Sequence, residues 1–255
     1  MSALALVVCG AAATLYALGR RGRVRAWREA CFYAGVVAAF VVLEPPFDTW
    51  ADRWLSAHMA QHVVLLTVVP PLVVLGRPWP RLWLPLPLGV RRSLARALAG
   101  SSVFRTVGGA VRRPPVALAL QTAAIGAWHV PLLYDAAARN NDVHVLEHVC
   151  FVAPALVYWG ALLDAAPVRT RMDQLHRSMW FAAAMVPGWI LALVLAFAGS
   201  PVYGVYHSMT DQQLAAGVMW IPGSLAYFIA AFYCFYRWLE PSVAVEPRPE
   251  ELSWT

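Results

Sequence analysis

Seven apolar runs separated by polar segments, most of them bearing arginine, constrain this chain more than any other feature. They cover residues 2–19, 27–43, 55–75, 114–133, 143–163, 178–198 and 214–236. A helix rises ~1.5 Å per residue, so about 20 apolar residues cross the ~30 Å hydrocarbon core of a bilayer. Only 13% of the 255 residues are charged and 60% are apolar, whereas soluble domains carry about 25% charged residues. Too little chain remains outside the runs for a separate soluble domain. The expected fold class is therefore an all-α integral membrane protein, a seven-transmembrane helix bundle. Residues 1–240 form its single domain, and the Pro- and Glu-rich residues 241–255 form a disordered cytoplasmic tail.

The charges orient the bundle. All 20 basic residues are Arg, and the net charge is +6. Arg20, Arg21, Arg23, Arg25 and Arg28 follow the first run, residues 76–113 hold eight Arg and no acid, and Arg237 follows the last run. Placing these segments inside satisfies the positive-inside rule, with the N-terminus outside and the C-terminus cytoplasmic. The same placement explains the basic balance without nucleic acid, which is not an expected partner. No basic residue precedes the first apolar run, so no cleavable signal peptide is expected. Residues 90–107 are amphipathic and are expected to lie on the inner leaflet.

Other residue types are less specific. Cys9, Cys31, Cys150 and Cys234 all lie in apolar runs without a CxxC, so they read as small hydrophobes; Cys150 stands out only for its closeness to His148. Trp50, Trp54, Trp128, Tyr134, Tyr203 and Tyr206 read as an aromatic belt at the outer interface. Pro70-Pro71, Pro187-Gly188 and Pro222-Gly223 mark interruptions within spans.

The chemistry lies in two echoing stretches, His58-Met59-Ala60-Gln61-His62 and His144-Val145-Leu146-Glu147-His148, both H-x-x-[QE]-H. Positions i, i+3 and i+4 share a helix face, so each stretch turns two imidazoles and one amide or carboxylate the same way. The expected topology also puts His129 and His207 outside and only His176 inside. His62, His129 and His148 then fall about 5–12 Å from the outer boundary at ~1.5 Å per residue, so three spans can converge on one shallow site. Ionisable groups at that depth face a bundle interior or a cavity. The expected metal ligands are His58, His62, His144 and His148, with His129. Met59, Gln61, Glu147 and Met219 are auxiliary.

Imidazole suits Zn, Cu, Fe and Ni, and thioether favours Cu(I), so copper is the first choice. Zinc and haem iron are alternatives. Four histidines on facing helices suit bis-His haem ligation. H-x-x-E-H is also the inverted zincin pattern, in which Glu147 would activate water on zinc. A purely structural scaffold is the remaining alternative.

Four blocks, HMAQHVVLLTVVPPLVVLGRPW, WHVPLLYDAA, VHVLEHVCFVAPALVYW and DQQLAAGVMWIPG, occur in this order over about residues 55–240. They resemble the signature blocks of the CtaG family, the multi-span bacterial assembly proteins for cytochrome c oxidase. The resemblance implies a multi-pass plasma-membrane protein that is not an enzyme. It implies a role in producing active haem–copper oxidase, with copper delivered to oxidase subunits in the membrane, and it leaves room for a copper donor protein. The family-motif positions carried over are His58, His62, His129, His144, Glu147 and His148.

Overall fold

The computed structural model describes residues 2–20, 25–165 and 172–240. The proposed tail, 241–255, lies outside the described residues. Every regular element described is helical: α1 (Ser2–Leu18), α2 (Ala26–Leu43), α3 (Phe47–Ala51), α4 (Leu55–Val63), a π-helical turn (Val64–Val68), α5 (Val69–Leu75), α6 (Pro78–Trp83), α7 (Leu88–Gly100), α8 (Ser102–Val111), α9 (Pro114–Trp128), α10 (Pro131–Arg139), α11 (Asn141–Leu162), α12 (Gln174–Ala183), α13 (Val186–Phe197) and α14 (Met209–Leu239).

Five helical stretches are long and apolar enough to cross a membrane: Ala26–Leu43, Leu55–Leu75, Asn141–Leu162, Gln174–Phe197 and Met209–Leu239. A sixth arises if Pro114–Trp128 and Pro131–Arg139 count as one span, although they meet at 74°. The expected straight span over 114–133 is therefore broken. Pro131 has no N–H to continue α9, and it holds Val130 in the extended region (φ −65°, ψ 127°). The expected outer loop after it is instead α10.

The span Leu55–Leu75 is the centre of the bundle. It packs against α2, α11 and α14. Its interruption follows from Pro70-Pro71. Pro70 cannot donate to the Leu66 carbonyl four residues back, and the chain relaxes into a π turn closed by Val69 N–H to the Val64 carbonyl. The freed Leu66 carbonyl accepts from the indole N–H of Trp159 on α11 at 3.2 Å, and Trp159 is held by stacking on Tyr227 of α14 (5.0 Å, 12°). Trp159→Phe keeps the stack and orphans the carbonyl. Thermal unfolding in detergent should show a loss of about 1–3 kcal/mol, and an unchanged transition would mean that the carbonyl finds another partner.

At the opposite end from the histidines, α1 is fastened to α2 and α6. Tyr16 stacks on Phe32 (3.8 Å, 11°) and donates to the Gly76 carbonyl at 2.9 Å. Arg81 lies over the Tyr16 ring and binds Glu29 at 2.8 Å. A Cβ on Gly19 would stand 1.9 Å from the Arg81 carbonyl, so only glycine permits this approach.

The expected amphipathic segment 90–107 is two helices, α7 and α8. They divide at Ser101, whose hydroxyl accepts from Phe104 N–H. Neither helix buries a residue, and Leu94, Leu98, Val103, Phe104 and Val107 are exposed.

Candidate metal centre

Three helix ends deliver the histidines to one place. Asn140 caps α11 by accepting from Asp142 and Val143 N–H, so the helix begins just before His144. His129 terminates α9 at the break that Pro131 enforces. The start of α4 is capped from another element. Asp211 of α14 accepts from Leu55 N–H at 2.6 Å, from Ser56 N–H at 3.3 Å and from the Ser56 hydroxyl at 2.5 Å. A carboxylate at a helix N-terminus satisfies donors that otherwise have no partner, and it complements the helix dipole.

Within each helix the i, i+4 spacing brings the rings together, edge-on for His58 and His62 and tilted for His144 and His148. His58 and His62 are 4.4 Å apart, and His144 and His148 are 4.3 Å apart. Across the helices, His58 lies 5.0 Å from His144, and His62 lies 5.4 Å from His148 and 6.0 Å from His129. Donor atoms of His58, His62, His144 and Glu147 lie within 4.8 Å of one another. All four are buried, Glu147 completely. His148 and His129 flank this group, and His148 also borders an apolar crevice of about 290 Å³ lined by α1, α2 and α11.

Two tautomers are set by neighbours. Tyr206 donates its O–H to the Ala51 carbonyl at 2.6 Å, so its oxygen accepts, and His58 Nδ1–H must be the donor at 3.0 Å. Burial pushes the Tyr206 phenol pKa up, which keeps that proton in place. His58 Nε2 is left as the acceptor, 3.0 Å from His62 Nε2, which donates to it. His129 Nδ1 donates to the Ile125 carbonyl at 2.7 Å, which likewise frees Nε2. Fixing one ring nitrogen by a hydrogen bond is how proteins aim the other at a metal.

The pocket is rich in donors with nothing to bind. His62 Nδ1, His129 Nε2, His144 Nε2, both nitrogens of His148 and both oxygens of Glu147 are buried without a hydrogen-bond partner among the described residues. Glu147 Oε1 approaches only His62 Nε2, at 3.8 Å. Burying such groups unpaired costs several kcal/mol each, and a cation satisfies lone pairs on nitrogen and oxygen together. Two imidazole nitrogens bound to a tetrahedral ion at 2.0–2.1 Å stand about 3.3 Å apart, close to the His58–His62 separation.

The matched positions of the two stretches diverge. Glu147 turns into the pocket. Gln61 turns out of it, donating to the Val42 carbonyl at 2.7 Å and to Asp48 at 3.3 Å, and so braces α4 against α2 and α3. Met59 and Met219 are buried beside His62 and His129. His207 and His176 are exposed and apart from the cluster. Cys150 is half-buried.

The aromatic belt needs correction. Trp50 and Trp54 are exposed, but Tyr134, Tyr203 and Tyr206 are buried around the histidines. Tyr134 lies 5.2 Å from His58 and stacks on Tyr203 at 3.8 Å. A ring with a polar tip suits an interface and a polar pocket equally well, so nothing in the sequence separates the two.

Residues 12–241 match the family model described as cytochrome c oxidase caa3 assembly factor, Caa3_CtaG. No curated protein and no solved structure gives a significant match. With nearly the whole chain and every buried histidine inside the matched region, the chain belongs to the cytochrome c oxidase caa3 assembly factor family.

Proposed function

We propose that this chain is a non-enzymatic copper carrier of oxidase assembly. Its pocket of His58, His62, His144 and Glu147, flanked by His148 and His129, holds one copper ion and releases it to a haem–copper oxidase subunit in the bacterial plasma membrane. The observation that carries the reading is the cluster of buried nitrogen and carboxylate donors without hydrogen-bond partners. Neutral imidazoles suit a cargo that must leave again, because each can let go without stranding a charge. The reading keeps seven crossings, with the N-terminus outside. The seventh is α1, whose apolar stretch Leu4–Leu18 is shorter than the other spans, and the bent pair α9–α10 counts as one. The histidines then face the outside, where a donor protein can load them.

Ring centroids 4.3–5.4 Å apart among His58, His62, His144 and His148 leave no slab for a porphyrin between them, so an ion suits the pocket better than haem. Zinc hydrolysis is separated by experiment. Elemental mass spectrometry of the detergent-purified protein should find at least one copper per chain. Glu147→Gln should weaken binding by roughly ten- to a hundredfold while cells still make some active oxidase. One zinc per chain, retained in Glu147→Gln with all function gone, would place hydrolysis first and end the carrier reading.

A further inference from the structure

Beside the histidine pocket lies a second chamber of about 50 Å³. Three of the chain's seven methionines, Met59, Met185 and Met219, line it together with His62 and His129. All three are buried, on α4, at the α12–α13 break and on α14. Both histidines are also buried and carry a ring nitrogen without a partner. We propose that this chamber is a Cu(I) site of thioether and imidazole ligands, the station from which the cargo leaves the protein. The inference rests on the carrier reading above and gives it a direction.

The chemistry of the two chambers differs in one respect that matters. The first offers imidazole and carboxylate, which accept zinc and either state of copper. The second offers thioether, a soft neutral donor that holds Cu(I) and holds hard cations poorly. His62 belongs to both, since it stands 3.0 Å from His58 on one side and borders the methionine chamber on the other. An ion can therefore change ligands one at a time, without oxidation or reduction and without passing through bare hydrocarbon.

The position of the chamber also suits release. Its wall includes Gly188 and Gly223, both half-buried, and a Cβ added at Gly188 would meet nothing within 4 Å. The surface beside them is apolar, with Ile190 and Ile221 exposed. On this side α13 and α14 border the chamber with Gly188 and Gly223, and it is the direction from which a membrane-embedded recipient would approach.

The test uses the full chain in detergent, titrated with Cu(I) against a Cu(I)-specific chelator and followed by copper X-ray absorption. Four proteins are compared: wild type, Met59→Leu/Met185→Leu/Met219→Leu, Met185→Leu, and His58→Ala/Glu147→Ala. Leucine keeps the volume of methionine, so the bundle should survive, and Met185→Leu alone serves as the mildest variant. Wild type should bind two Cu(I) with sulfur scattering. The triple variant should bind one without sulfur, and the His58/Glu147 variant should bind one with sulfur. Met185→Leu should lose about one sulfur neighbour. One Cu(I) in wild type, free of sulfur and unchanged in the triple variant, would overturn the second site and leave the histidine reading standing. A total copper count unchanged by His58→Ala/Glu147→Ala, with sulfur scattering retained, would keep the chamber and remove the histidine reading. No copper in wild type would end both.

Discussion

Purified His58→Ala/His148→Ala protein should lose the metal of the histidine pocket, and cells carrying it should lack active oxidase. Either histidine alone leaves its i+4 neighbour and Glu147 in place. The double change takes one ring from each of the two stretches, so neither α4 nor α11 can still present a pair. Removing a residue that only orients a ligand already costs ten- to a hundredfold in metal affinity, and losing two imidazoles should exceed a hundredfold. The loss should not come from unfolding. His148 has no hydrogen-bond partner, and His58 has only Tyr206 and His62, so alanine removes buried polar atoms as well as packing. The amount of protein in the membrane fraction should therefore match wild type. Normal copper content in the oxidase of this variant would sink the carrier reading outright.

Asp211→Ala should be the most destabilising single change near the site, although Asp211 touches no histidine. The carboxylate spans from α14 to α4 and collects three donors, Leu55 N–H, Ser56 N–H and the Ser56 hydroxyl. Charge-assisted bonds of this kind are about twice as strong as neutral ones. Alanine strands two amide donors at the buried start of the helix that carries His58 and His62. A loss of about 2–4 kcal/mol is expected, seen as a lower melting temperature in detergent, together with weaker metal binding as the first turn of α4 frays. Asp211→Asn keeps one acceptor and should recover part of both. If alanine melts like wild type, the cap is dispensable and α4 is held by side-chain packing alone.

Much of this protein was legible because hydrophobic runs and arginine placement are additive signals. The long stretches near 27–43, 55–75, 143–163 and 214–236 all appear as helices close to where the apolar runs lie. The i, i+3, i+4 spacing located the helix faces on which the histidines and Glu147 converge for the same reason. What stayed hidden depends on partners far away in the chain. Ser208 and Asp211 look like the capping box of α14, and Ser208 does accept from Asp211 N–H. The Asp211 carboxylate is spent instead on a helix 155 residues earlier. Gln61 and Glu147 occupy equivalent positions, and only the neighbours decide that one turns outward to Val42 and the other inward. Pro131 was visible, but that it would redirect the chain by 74° and fill the expected loop with a helix was not.

The inward turn of Glu147 fixes an electrical balance. Among the donor residues converging in the pocket it is the one carboxylate, and the imidazoles add no charge while neutral. With Glu147 ionised, a monovalent ion makes the filled pocket electroneutral, and a divalent ion leaves it with one uncompensated positive charge. The cost of holding net charge in a low-dielectric interior rises with its square and reaches several kcal/mol for a single unit. A chamber built this way discriminates by valence before ligand preference enters, and the same balance lets the full and empty protein be told apart by their field at the membrane surface.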